Sequence, residues 1–209
     1  MSITGDIRQV VLASGNNGKL AELQNMLSGL NINMRAQSEF GIGSDLPEAD
    51  ETGLTFVENA IIKARYAAKV SGMAAIADDS GIEVDYLQGQ PGIYSARYAG
   101  TGASDADNNQ KLLASLDGVK TPERTARFHS VLVYLRHADD PTPIICHGSW
   151  EGFVLEEIRG EHGFGYDPLF FVPSEHCSAA ELPAGMKNKI SHRAMAMKIL
   201  LEKLQEMMR

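Results

Sequence analysis

Ala74-Ala-Ile-Ala-Asp78-Asp79-Ser80-Gly81-Ile-Glu-Val-Asp85 is the stretch from which the fold class is read. Ala74–Ala77 is small, apolar and short, as a buried strand requires, and Ile82, Val84 and Tyr86 then alternate with Glu83 and Asp85 as on a half-buried strand. This reading puts Asp78 and Asp79 at a strand end followed by a turn, where open α/β sheets receive their ligands. Two adjacent carboxylates there can hold a divalent cation through hard oxygens or act on a water. Asp-Asp-Ser-Gly is also good turn chemistry, and the residues alone leave both readings open.

Upstream, Val10–Ala13 reads as a first strand, followed by Ser14-Gly15-Asn16-Asn17-Gly18-Lys19 and then by Leu20, Leu23, Met26, Leu27 and Leu30 at helical spacing. A glycine turn between strand and helix offers free N–H groups and the positive end of the helix dipole to an anion, and Lys19 adds a full charge. Phosphate fits such a turn, and so does a purely geometric role. It is not a Walker A loop, because the glycine spacing is too short and Leu20 stands where a hydroxyl would hold magnesium.

Asn31–Leu54 reads as irregular, with an acidic group of Glu48, Asp50 and Glu51 expected to face solvent. Thr55-Phe-Val-Glu58 has the form of a capping box and opens a helix to about Val70. Val57, Ile61, Ala64 and Ala68 make its apolar stripe, which leaves Asn59 and Lys63 on the opposite side, Lys63 toward water or, as the second reading, toward a cleft. A Gly/Pro loop carrying Tyr94 and Arg97 precedes a helix from Ser104 to about Leu116, capped by Ser104 with Asp107. Thr125–His137 and Ile144–Ile158 supply strands with an antiparallel return, so the fold class is α/β with a mixed central sheet flanked by helices.

Gly163-Phe164-Gly165-Tyr166-Asp167-Pro168 enters the apolar strand Leu169–Val172, and on the residues alone Phe164 reads as a core plug or as a ring set to stack on a flat ligand. Ser191 reads as the N-cap of a terminal helix buried through Met197, Leu200, Leu201, Leu204 and Met208. The basic pair His192-Arg193 in its first turn opposes the dipole, a local penalty that hints at use.

The chain of 209 residues carries a net charge of −8 without a basic stripe, which argues against a nucleic-acid partner. The first residues have no apolar signal core and the longest apolar run, Val131–Leu135, is too short for a membrane span, so a cytoplasmic, membrane-free protein is expected. Cys146 and Cys177 form no CxxC and suit free thiols.

Six ordered motifs resemble those of the inosine triphosphate pyrophosphatases, also called dITP/XTP pyrophosphatases. They are Ser14–Lys19, Thr55–Lys63, Ala77–Gly81, Pro91–Arg97, Gly163–Asp167 and Lys187 with Ser191–Arg193. The resemblance covers nearly the whole chain and implies a single pyrophosphatase domain over residues 1–209, an elongated α/β fold of two lobes with the active-site cleft between them, a Mg2+ cofactor and a homodimer. It implies that Ser14, Gly15, Asn16, Asn17, Gly18 and Lys19, with Lys63, bind the triphosphate. Asp79 and Glu51 would hold magnesium, Asp79 would activate water with Asp78 in support, and Ser80 would touch substrate. Phe164 would stack on the purine, while Gly165, Tyr166, Asp167, Lys187, His192 and Arg193 would line the base and sugar pocket. Gly185-Met186 departs from the more acidic residues of many members.

The implied reaction is hydrolysis of ITP, dITP or XTP to the monophosphate and pyrophosphate, which keeps deaminated purines out of DNA and RNA. Donors such as Lys187 and Arg193 suit a 6-oxo group, whereas the 6-amino group of adenine would leave buried donors unpaired at about 1–3 kcal/mol each. The competing class is a nucleotide-binding regulatory protein or a related nucleotide-binding hydrolase of different base preference. Asp79 with Glu51 discriminates against a pure binder, which needs no carboxylate pair for a metal and a water.

Overall fold

The computed structural model describes residues 8–15, 19, 20, 23, 24, 27 and 32–207. Its strands are β1 (Arg8–Ala13), β2 (Ile32–Ala36), β3 (Ala74–Val84), β4 (Thr125–Leu135), β5 (Ile144–Val154), β6 (Phe170–Val172) and β7 (Cys177–Ser178). The helices are α1 (Phe56–Ser71), α2 (Asp105–Ser115), α3 (Ala184–Ile190) and α4 (His192–Met207), and Lys19, Leu20, Leu23, Gln24 and Leu27 are helical as well. The strands form one sheet in the order β2-β1-β3-β4-β5-β6-β7. β1 runs parallel to β2 and β3, while β6 is antiparallel to β5 and β7, so the sheet is mixed and the α/β expectation holds.

The chain divides into two compact units, Met1–Asp79 with Val131–His147 and Ala196–Arg209, and Ser80–Ser130 with Gly148–Met195. In the first unit the alternation of β1 serves two covered faces. Val10 and Leu12 join Leu23, Leu27, Met197, Leu200 and Leu204 on one side, and Val11 and Ala13 join Ala60, Ala64, Ala67 and Ala68 on the other. Side chains two apart share a face, so a strand buried on both faces must be apolar throughout. α1 meets the sheet through alanines, which lets its backbone come close. In the second unit Ile82 and Val84 of β3, Phe128 of β4, Trp150 of β5 and Phe170 of β6 enclose Leu112 and Leu116 of α2.

The turn expected at Asp78–Gly81 is absent, for β3 runs unbroken from Ala74 to Val84. The strand end that matters is that of β1, whose pairing with β3 stops at Ala13 and Ala77, so Asp78 and Asp79 follow directly after the last paired position. Asn31–Leu54 also contains order unseen in the sequence, namely β2 and a 3-10 turn at Gln37–Phe40. Only Met34 of β2 is buried, too weak a pattern to announce a strand. The caps behave as local chemistry predicts. Thr55 Oγ1 accepts from Glu58 N–H, although Glu58 Oε2 reaches back one residue further than a capping box does, to Leu54 N–H at 2.9 Å. Ser104 and Asp107 form the full box on α2. Ser191 Oγ accepts from Ala194 N–H, as an N-cap should, and Ser191 also ends α3, a helix the sequence did not announce. Met26, Leu30 and Met208 lie outside the described residues.

Asn59 is a correction. It is fully buried on α1, with Oδ1 accepting from Gly53 N–H at 2.9 Å, because the neighbouring loop needs an acceptor there.

A buried carboxylate outside the site gives a test of stability. Asp140 accepts from Arg136 N–H at 3.0 Å, Thr142 N–H at 3.0 Å and the Arg136 guanidinium, and these hold its carboxyl far below the ordinary range. A depressed folded pKa contributes stability above the unfolded value of about 3.9, and that contribution is lost as pH falls through the folded value. Asp140→Ala is expected to destabilise by about 2 kcal/mol at pH 7. The gap from the parent should narrow below about pH 4, read from urea midpoints at both pH values.

Candidate active site

Within the first unit, the end of β1 and the middle of β3 bring cations and carboxylates together. Ser14 N–H folds back onto Leu12 carbonyl at 3.0 Å, which turns the chain sharply as β1 ends. A Cβ on Gly15 would sit 2.9 Å from Glu48 Oε1, the far end of an exposed side chain that has room to swing aside. Asn16, Asn17 and Gly18 lie outside the described residues. Lys19 Nζ is 2.9 Å from Asp78 Oδ2, and Asp78 is almost completely buried.

Lys63 does not face water alone. Its ammonium lies 2.5 Å from Asp79 Oδ1 and 3.4 Å from Glu51 Oε1. Burial alone would lower the Lys63 pKa, but the charges of Asp79 and Glu51 outweigh it and the ammonium is held above its ordinary value. For Asp79 burial is the larger effect and pushes the carboxyl up, against the pull of Lys63. Asp79 Oδ2 is buried and has no hydrogen-bond partner among the described residues. An orphaned carboxylate oxygen is costly, and such a group asks for a ligand or a role. Among the described residues no three His, Cys, Asp or Glu side chains come together as a metal cage.

The second unit holds the remaining residues. Arg193, at the start of α4, is only 2% exposed and donates from Nη2 to Ser80 Oγ at 3.3 Å. Its guanidinium carbon lies 5.5 Å from the centre of the Phe164 ring, and Lys187 Nζ lies 4.8 Å from the same centre. Lys187 also pairs with Asp167 Oδ2 at 2.5 Å, an oxygen that accepts from Phe164 N–H at 2.9 Å. Phe164 is half-buried and does not belong to the core cluster of this unit, so it is no plug. Gly163 has φ +81°, and a Cβ there would meet Asp167 Oδ2 at 2.1 Å. The basic first turn of α4 is thereby explained, since Arg193 is spent on Ser80 and the Phe164 ring.

Two residues expected beside the base have structural partners. The Tyr166 hydroxyl donates to Ser95 carbonyl at 2.7 Å, and burial pushes its pKa well above the ordinary phenol range. His192 lies stacked on Phe128 at 4.8 Å between ring centres. Gln37, buried beside Gly15, went unnoticed in the sequence; its Nε2 donates to Glu48 Oε1 at 3.4 Å. Glu48 itself is exposed, as the acidic group was expected to be.

The model of a family described as the Ham1 family matches residues 10–203. The chain belongs to the Ham1 family. That match takes in every site residue named above. Among relatives, this Ham1-family chain is 57% identical over 198 residues to a dITP/XTP pyrophosphatase of Vibrio parahaemolyticus, covering 95% of this chain and 97% of that one. It is 58% identical over 199 residues to a dITP/XTP pyrophosphatase of Escherichia coli O157:H7, covering 95% and 99%. The solved structure of a Ham1 protein from Coxiella burnetii matches with a TM-score of 0.88 at 49% identity, over 95% of this chain and 99% of that one. The resemblance read from the six motifs is thus borne out, and so is the fold class.

Proposed function

We propose that this chain is a pyrophosphohydrolase of non-standard purine nucleoside triphosphates, converting ITP, dITP and XTP to the monophosphate and pyrophosphate. The observation that carries the mechanism is Asp79, with one oxygen committed to Lys63 and the other buried without a hydrogen-bond partner among the described residues. The names of the relatives support the substrate class.

Ser14, Gly15 and Lys19, with Asn16, Asn17 and Gly18, bind the triphosphate, and Lys63 neutralises part of its charge. Asp79 Oδ2 accepts the proton of the attacking water, for which a raised carboxyl pKa suits the task. Asp78 supports by holding Lys19 in place. Asp79 and Glu51 are the residues that would hold magnesium. Their hard carboxylate oxygens, gathered around Lys63, suit an ion that takes one or two carboxylates and completes its shell with phosphate and water. When bound, the ion would neutralise the triphosphate and make a neighbouring water more acidic. Phe164 stacks on the purine, and Lys187 and Arg193 face its 6-oxo edge, with Ser80, Gly165, Tyr166, Asp167 and His192 completing the pocket. The chain acts as one pyrophosphatase domain, in the cytoplasm and as a homodimer, and thereby clears deaminated purines from the nucleotide pool. Among the described residues no helix is long and apolar enough to cross a membrane.

The test is pyrophosphate release from ITP, XTP, GTP and ATP, with and without magnesium. Release from ATP equal to that from ITP would refute the substrate class, and full activity after chelation would refute the metal. Lys19→Ala should raise KM about tenfold and lower kcat by a similar factor, because the triphosphate is bound in the ground state and gains charge in the transition state. Unchanged kinetics would reduce the glycine turn to geometry.

A further inference from the structure

Helix α2 holds Gly165 from both sides. Gly165 N–H donates to Asp105 Oδ2 at 2.6 Å, and Gly165 carbonyl accepts from Asn109 Nδ2 at 2.8 Å. Asp105 and Asn109 are four residues apart, so one face of the helix presents the acceptor and the donor together. Gly165 has φ +62°, a left-handed conformation that glycine adopts without strain.

The consequence falls on Phe164. Its own N–H is taken by Asp167 Oδ2 at 2.9 Å, and the next N–H along the chain is taken by Asp105. Both peptide planes that flank Phe164 are therefore bound, and the direction in which its ring leaves the backbone is set. The cost of the arrangement shows on Asn109, whose Oδ1 is buried without a hydrogen-bond partner among the described residues. An unpaired buried amide oxygen is destabilising, and that is set here against the bond that the other end of Asn109 makes to Gly165.

We propose that Asp105 and Asn109 are positioning residues of the base pocket, which pre-set the Phe164 ring for a purine without touching the nucleotide. Ordering the loop before binding removes that cost from the binding step. The inference rests on the reading of Phe164 as the stacking residue. A merely structural clamp would change stability and leave base affinity alone.

The experiment measures the dissociation constant of inosine monophosphate by calorimetry and KM and kcat for ITP. Asp105→Ala and Asn109→Ala are each expected to weaken inosine monophosphate about tenfold and to raise KM similarly, with kcat within about threefold. Asp105→Asn retains an acceptor oxygen and should bind nearly as the parent does. Asp107→Ala, which loses the capping box with Ser104, should lower the melting temperature and leave affinity unchanged. Asp105→Ala combined with Phe164→Ala should bind no worse than Phe164→Ala alone, because the clamp acts through the ring. Parental affinity in Asp105→Ala and Asn109→Ala, or losses that multiply with that of Phe164→Ala, would overturn the proposal alone. Unchanged affinity in Phe164→Ala would overturn the stacking reading and the proposal with it.

Discussion

Asp79→Asn should lower kcat for ITP by about 10³–10⁴-fold while nucleotide binding remains measurable. The substitution keeps the volume and removes the charge, and with it the oxygen able to take a proton from water and one anionic ligand for the cation. The fold should survive. An acid whose folded pKa lies above its unfolded value disfavours folding once the pH exceeds the unfolded value, and burial raises Asp79 in this way. Replacing it by a neutral amide relieves that cost at pH 7 but takes from the largely buried Lys63 its nearer carboxylate, so the two effects oppose each other, and Glu51 at 3.4 Å remains as the partner of Lys63. Single-turnover kinetics with ITP, together with the dissociation constant, separate chemistry from binding. A kcat within about tenfold of the parent would show that another group activates the water.

Arg193→Met should change selectivity as well as rate. The methionine keeps most of the apolar stem and withdraws the guanidinium from the pocket beside Phe164. If that group donates to the 6-oxo edge, kcat/KM for ITP and XTP should fall about 10²-fold or more, as for other buried charge-assisted contacts. For ATP, which has no 6-oxo group to lose, the fall should be within about threefold. Ser80→Ala removes the acceptor of Arg193 Nη2 and serves as a control for the contact at 3.3 Å. Phe164→Ala should behave differently, weakening all four nucleotides together by about 1–3 kcal/mol, because stacking is largely indifferent to base identity. Equal losses across ITP, XTP, GTP and ATP for Arg193→Met would place the guanidinium on phosphate or in support of the pocket, and the reading of the base would fail.

What the residues determine by themselves is chemistry that acts over a few positions. Thr55 and Ser104 announce their helices because a hydroxyl within reach of an N–H three residues on forms the same bond in almost any context. β1 is legible because a strand covered on both faces must be apolar throughout. The site residues are legible as motifs, and the ordered set of six carries the family.

The tertiary structure decided what depends on partners far away in the chain. Asp-Asp-Ser-Gly reads locally as a turn, yet it lies inside β3, since sheet pairing outweighs a weak local preference. Lys63 reads as a solvated lysine until the fold brings Asp79, sixteen positions away, to 2.5 Å. Phe164 reads as a plug or as a stacking ring until Lys187 and Arg193 are placed over it. Asp105 and Asn109 carry no motif at all, because holding Gly165 requires contacts 60 and 56 residues distant. Periodicity reports which side of an element is apolar, while Coulomb energy and hydrogen bonding depend on distances that exist only once the chain has folded.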